Sequence, residues 1–284
     1  HRQYNVSKVV YGPWKMPVMP ENASDQERCW ILSQQAMHYM NTQDHSSALV
    51  GFDMCCELMP QEESFQFNRA VALLNLHRAP DALEALLRLK HSENPEVWRA
   101  RVTADIFLGR YEDALVDYDK CSELEPKIVQ HKFGKAKLLL RLRRFEEALG
   151  LFDELIESDM EEKTEVLQHK AYALRELGRL EEELQAIDMW LKLNPKDKSA
   201  LRQKVETLMA VSRCEAALEH ANHYLQGVDA HEVDMLEMKA QLLDRLEREN
   251  EAVSVADTIL GLEPANDFAL GYKAKSIQRN RQEL

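Results

Sequence analysis

The sequence predicts an all-α chain in which a helix-turn-helix unit of about 34 residues recurs seven times, and three observations carry that prediction. First, only 9 Gly and 9 Pro accompany 45% hydrophobic residues over 284 positions. Long stretches of Leu, Ala, Glu, Lys and Arg agree with helical propensity. Second, a small residue returns as Ala36, Ala70, Val102, Ala136, Ala171, Val205, Ala240 and Ala274, at spacings of 32 to 35. Third, a parallel series stands twelve residues further on: Ala48, Ala82, Ala114, Ala148, Glu183, Ala217 and Ala252. Pro60, Pro126, Pro195 and Pro264 follow after twelve more, where proline stops a second helix and opens the next unit.

Small residues in these two series are what two closely crossing helices require, because a larger side chain would force them apart. Larger apolar residues fill the seams between them. In the segment from Gly109 to Pro126, Tyr111, Ala114, Leu115, Tyr118, Cys121 and Leu124 recur at three and four residues, the helix period. The stretches Arg143 to Ser158 and Gly178 to Pro195 repeat that pattern. Glu183 breaks the alanine series, so this position holds a buried carboxylate, a rotated helix or a widened helix pair. Glycine between the helices occurs only at Gly109 and Gly178, which leaves the turns of the outer units less well defined by sequence.

The units begin near residues 29, 63, 95, 129, 164, 198 and 233, filling 25–266. Residues 267–284 begin like a first helix, with Phe268, Leu270 and Ala274, and then turn polar. They are read as a capping helix, an eighth unit's first helix being the alternative. Residues 1–24 carry no helical period and hold three prolines. They are expected to run extended and dock on the first unit through Val9, Val10, Tyr11, Trp14 and Met16, either covering its open face or lying in the binding groove.

The pattern resembles the tetratricopeptide repeat family, with Trp98, Gly109, Tyr111, Ala114, Tyr118 and Pro126 on signature positions of the third unit. The resemblance covers about residues 25 to 280 and implies a right-handed superhelical solenoid whose concave groove is lined by first helices. The family's groove positions fall on Phe67 and Asn68 in unit two, Arg99 and Phe107 in unit three, and Phe133, Lys137 and Arg141 in unit four. They fall on Tyr172 and Arg175 in unit five and Arg202 in unit six. Chaperone-tail binders of the family use a Lys/Asn/Arg carboxylate clamp, of which only Asn68 is present. The resemblance therefore implies a protein-interaction scaffold without that specificity.

The formal charge is -13. It disfavours nucleic acid, while the groove positions gather Arg99, Lys137, Arg141, Arg175 and Arg202 beside Phe67, Phe133 and Tyr172. An extended partner segment with acidic and bulky apolar residues fits that set. The competing reading pairs each cation with a neighbouring carboxylate.

Nothing in the sequence marks catalysis, metal or cofactor: there is no phosphate loop, nucleophile elbow or paired CxxC. His220 and His223, three apart and near Cys214, are the best metal candidates and lack a fourth ligand. Glu146-Glu147, Glu161-Glu162 and Glu181-Glu182 read as solvated faces. Cys55 and Cys121 read as core, and five cysteines with Cys55 and Cys56 adjacent read as free thiols in a reducing, cytoplasmic or nuclear compartment. The chain is alternatively a docking region of a larger enzyme, or an assembly subunit that uses its convex surface. No apolar run is long enough to insert in a membrane.

Overall fold

The computed structural model describes residues 14–226 and 231–282, and every regular element among them is a helix. The chain forms two compact bodies, one up to Leu138 and one from Leu139. In the first body α1 (Asp25–Asn41) pairs with α2 (His45–Leu58), α3 (Glu63–Asn75) with α4 (Ala79–Leu87), and α5 (Pro95–Phe107) with α6 (Tyr111–Leu124). Helix α7 (Val129–Arg141) spans the boundary. The second body holds α8 (Phe145–Glu157), the pairs α9 (Lys163–Glu176) with α10 (Leu180–Leu193), α11 (Lys198–Ala210) with α12 (Cys214–Tyr224) and α13 (Val233–Arg245) with α14 (Glu249–Leu262), and α15 (Asp267–Gln282).

Each small residue of both series up to Ala252 is buried, and most have no accessible surface at all. Around these crossings the larger apolar residues fill the space. Phe52, Leu73 and Leu86 do so in the first body, and Ile187, Leu208, Met235 and Ile259 in the second.

All seven turns between paired helices share one conformation. The second residue beyond each first helix has positive φ, at Gln43, His77, Gly109, Arg143, Gly178, Ser212 and Glu247, between 58° and 72°. The next amide closes back on the helix, as Arg110 N to Asp105 O at 2.8 Å and Arg213 N to Leu208 O at 2.9 Å. This double-bonded helix ending fixes the turn without needing glycine. Five units therefore tolerate a left-handed residue that costs about 1–2 kcal/mol, and the outer turns are as well defined as the two glycine turns.

Two further series, unread in the sequence, tie these elements together. Second helices open on Arg78, Arg110, Arg144, Arg179, Arg213 and Arg248. Five of these hold the acid three residues on, as Arg179 Nε to Glu182 Oε1 at 2.7 Å and Arg248 Nε to Glu251 Oε1 at 2.7 Å. Arg179 also reaches Glu146 at 2.9 Å and Arg213 reaches Glu181 at 3.0 Å, so Glu146, Glu147, Glu181 and Glu182 are ion-paired at the turns. The second series links first helices to the pair before at five junctions: Arg69 to Asp53, Lys135 to Asp119, Lys170 to Asp153 and Lys273 to Asp257 at 2.5 Å, and Lys204 to Asp188 at 2.8 Å.

Leu87 and Asn222 stand where the Asp of such a rung would be. With Leu87 in place of a carboxylate, the equivalent cation Arg101 turns to Asp117 of its own pair, at 3.0 Å, and lies over the Trp98 ring. Asp117 and its neighbour Asp105 are both about 1% exposed. Burial pushes the Asp117 carboxyl up to about 7, against the opposing pull of Arg101 and with Asp105 adding to the rise. Burial likewise raises Asp105.

At the start of the chain Trp14 packs against Tyr39, ring centroids 5.5 Å apart, in space left by Gly51. A Cβ there would stand 2.6 Å from Trp14 Cη2. The Gln35 amide donates to Lys15 O at 2.6 Å. Met16, expected as an anchor, is instead more than half exposed, because the chain beyond Trp14 turns its side chain outward. The anchors Val9, Val10 and Tyr11 lie outside the described residues. At the other end α15, expected to be a cap with a polar outer face, presents Leu270 and Ile277 to solvent.

A raised folded-state carboxyl binds more protons than the unfolded chain between an ordinary Asp value of about 3.9 and about 7. Its stabilising contribution is complete at the acid end and is lost as pH rises through that window. Urea denaturation of the wild type should show stability falling across the window, and Asp117→Asn should flatten that slope and be the more stable protein above it. An unchanged slope in Asp117→Asn would contradict the assignment.

Candidate peptide-binding face

The candidate residues stand on first helices in each body. In the first body Phe67 is half-buried against the core and Asn68 is half-buried beside it. Arg99 donates to Glu125 Oε2 at 2.6 Å and also holds Glu96, and its bond to Glu96 raises its pKa. The same Glu125 oxygen lies 2.8 Å from His131 Nε2. Phe133 is buried, with Lys137 Nζ 4.3 Å above its ring and exposed to solvent. Phe67 and Phe133 therefore support the face from beneath and do not form open platforms.

The open aromatic surface of this body lies elsewhere. Trp30 of α1 and Phe107 of α5 are 66% and 65% exposed. Phe107 stands on a family groove position. Trp30 escaped the sequence reading because the groove positions were not carried into the first unit, where it occupies the second one.

In the second body Arg141 is exposed. Tyr172 is 43% exposed, and its ring meets Phe145 edge-on with centroids 6.2 Å apart. Arg143 lies over Phe145 at 5.2 Å and pairs with Glu176 at 2.9 Å. Arg202 holds Glu232 at 3.0 Å and Asp234 at 3.2 Å. Tyr224 Oη donates to Glu232 at 2.6 Å, and burial together with that bond pushes its phenol up to about 12.

Arg175 has a structural task. Glu183, at the crossing position that is alanine in the other units, has no accessible surface. Its Oε1 accepts from Arg175 Nε at 2.8 Å and Gln203 Nε2 at 3.3 Å, with Thr207 Oγ1 at 3.1 Å. Arg175 also reaches Glu206 at 3.0 Å and Thr207 Oγ1 at 3.2 Å. Of the three outcomes foreseen for Glu183, the buried carboxylate is the one realised. Thus Arg99, Arg175 and Arg202 pair with carboxylates of the scaffold, and Lys137 and Arg141 are exposed.

The remaining chemistry is quiet. All five cysteines are free, and burial lifts Cys55 to about 12 and Cys56 and Cys121 to about 11, far from a thiolate at neutral pH. His220 and His223 line a cleft of about 360 Å³ with Asp188, Leu191, Lys204 and Leu201. Among the described residues no three metal-binding side chains converge, and no helix is long and apolar enough to cross a membrane.

Paired helices stacked through small-residue crossings define a helical-repeat protein. The family model described as tetratricopeptide repeat matches residues 99–163 and 133–198. Over residues 99–198 the chain therefore carries tetratricopeptide repeats. Solved structures of the same fold include the C-terminal part of a TPR repeat-containing protein from Cytophaga hutchinsonii, with TM-score 0.68, 12% identity, and 84% of this chain and 98% of that one covered. Another is the complex of Naa15/Naa10 bound to HypK-THB, with TM-score 0.66 and 16% identity over 88% of this chain. The match spans only 39% of the length of that longer chain. YrrB, described as a TPR protein with an unusual peptide-binding site, aligns with TM-score 0.53 and 19% identity, covering 68% of this chain and 99% of its own. A search of curated proteins finds no match.

The Arg175–Glu183 geometry makes a directional prediction. Arg175→Met leaves a buried carboxylate uncompensated and should cost about 3 kcal/mol in denaturant unfolding. Adding Glu183→Ala, which restores the small residue of the other units, should return most of that loss. If Arg175→Met were as stable as wild type, the pair would have no structural role.

Proposed function

We propose that this chain is a non-catalytic protein-interaction scaffold that holds an extended, acidic and apolar segment of a partner protein on the face of its first helices. The observation that carries the reading is that each body pairs exposed aromatic surface with an exposed cation, Trp30 and Phe107 with Lys137 in the first and Tyr172 with Arg141 in the second, on a chain of net charge -13. Large aromatic side chains left open to water cost hydration free energy that a bound apolar residue recovers. Lys137 in the first body and Arg141 in the second attract carboxylates on a chain that is otherwise acidic. The seven-unit reading, with the helices as helix pairs in sequence order, supplies the repeated frame on which such a face is built.

Relatives of the fold support the coarser part of this reading. YrrB carries a peptide-binding site, and the Naa15 structure is an assembly with Naa10 and HypK. The length of the Naa15 match favours one further possibility, that this chain serves as the docking region within a larger assembly. Free, buried thiols suit a reducing cytoplasmic or nuclear setting, and the acidic surface disfavours nucleic acid as the ligand. The reading requires no cofactor.

A random peptide library selected on the immobilised chain tests the proposal. Selected sequences should combine Asp or Glu with Trp, Phe or Leu, and added salt should weaken them. Phe107→Ala, and separately Lys137→Glu with Arg141→Glu, should each lower affinity by about tenfold. Selection of basic peptides, or affinity unaltered in both variants, would refute it.

A further inference from the structure

The α1–α2 pair holds two cysteines face to face. Cys29 precedes the small residue Ala36 by two helical turns and Cys55 follows Ala48 by two, so the pair that crosses at these alanines sets the two thiols opposite one another. The same register in α11 and α12 gives Lys198 and Tyr224, and there Lys198 Nζ lies 5.9 Å from the centroid of the Tyr224 ring. Elsewhere the register holds Pro95 with Cys121, Thr164 with Trp190 and Val233 with Ile259, so a facing pair of thiols is particular to α1 and α2.

Both thiols are shut in. Cys29 is 1% exposed and Cys55 has no accessible surface, and Met19, Met54, Met59 and Phe65 pack against them. Their contacts are reciprocal: the Cys29 thiol donates to Cys55 O at 3.8 Å and the Cys55 thiol to Cys29 O at 3.5 Å. Each sulfur therefore lies over the backbone of the other residue, the close approach that a disulfide requires. The sulfurs also sense each other. Burial raises the Cys29 thiol while a bond to Cys55 lowers it, and burial pushes Cys55 up to about 12 with Cys29 adding to the rise. Cys56, next in the chain, instead lines a polar cleft with Asp53, Arg69 and Arg88.

We propose that Cys29 and Cys55 are a site of reversible disulfide formation, which closes the α1–α2 pair with a covalent bond under oxidising conditions. The oxidant is a low-molecular-weight disulfide. One cysteine, wetted and deprotonated when α1 lifts from α2, attacks that disulfide, forming a mixed disulfide and releasing one small thiol. The other cysteine then attacks the protein sulfur of the mixed disulfide, so the Sγ–Sγ bond forms and the second small thiol leaves. Two electrons pass from the cysteines to the oxidant, and the two thiol protons end on the two small thiols. Burial keeps both cysteines protonated while the pair is closed, so the bond forms no faster than the pair opens, and its reduction awaits the same opening. Trp30 adjoins Cys29, so the bond also fixes the helix that presents it, but the inference stands apart from the peptide-binding reading.

Incubation of the folded chain with oxidised glutathione, followed by alkylation and mass spectrometry, tests the proposal. The chain should lose two hydrogens and carry one bond, from Cys29 to Cys55, with the remaining cysteines alkylated. Cys56→Ser should keep that bond and Cys29→Ala should abolish it. Amide hydrogen exchange in α1 and α2 should slow at least about tenfold on oxidation and recover with dithiothreitol, and Cys29→Ala should show no such change. The proposal is overturned if no bond joins these two residues in the folded chain, or if Cys29 pairs instead with Cys56 or with another molecule. It is equally overturned if the bond appears only after unfolding in urea, or if it forms and leaves exchange in α1 and α2 unaltered.

Discussion

The close crossing of two helices at a pair of small side chains is the contact on which the rest of this structure depends. Where two alanines meet, backbones approach closely enough for the flanking leucines, isoleucines and aromatics to interdigitate without voids. Each first helix spends one side on that crossing and has a separate face left to offer a ligand. The turn that returns the chain for the crossing is the same in all units because backbone hydrogen bonds define it, so its residue can be Gly, Gln, His, Arg, Ser or Glu. Rungs of Lys or Arg with Asp then set how one pair follows another within each body, at little individual energy because they face solvent.

Glu183 shows what happens when the crossing rule is broken. A carboxylate replaces the methyl group, and the surroundings respond with Arg175, Gln203 and Thr207, drawn from its own pair and from the next unit. A cation on the ligand-binding register is thereby diverted to structure. The same happens by other routes at Arg99 and Arg202, whose carboxylate partners lie 26 to 32 residues away. Arg99, Arg175 and Arg202 are thus committed to carboxylates of the scaffold itself.

The fold was legible because its information is periodic: Ala, Ala and Pro recur at fixed offsets, and burial at Ala70, Ala136 or Ala217 follows directly. The face was legible only in part. Position along a first helix identifies Phe107 and Tyr172 as outward, but it places Phe133 there as well, and Phe133 is buried beneath Lys137. Partners 16 or 32 residues away cannot be assigned until neighbouring units are laid side by side. That is why the Lys–Asp rungs and the Arg–Glu turn fasteners, both regular in the sequence, pass unnoticed beside the louder alanine series. The exposure of Leu270 and Ile277 on α15 was not legible either, since that stretch reads as a polar-faced capping helix.

The most direct test of the crossing as the governing constraint is amide hydrogen exchange of Ala217→Leu, which adds bulk at the α11–α12 crossing while keeping the residue apolar and helix-forming. The account predicts a loss of about 1–3 kcal/mol, with protection falling first in α11 and α12 and then in the helices packed on them. Protection equal to wild type in both helices would contradict it.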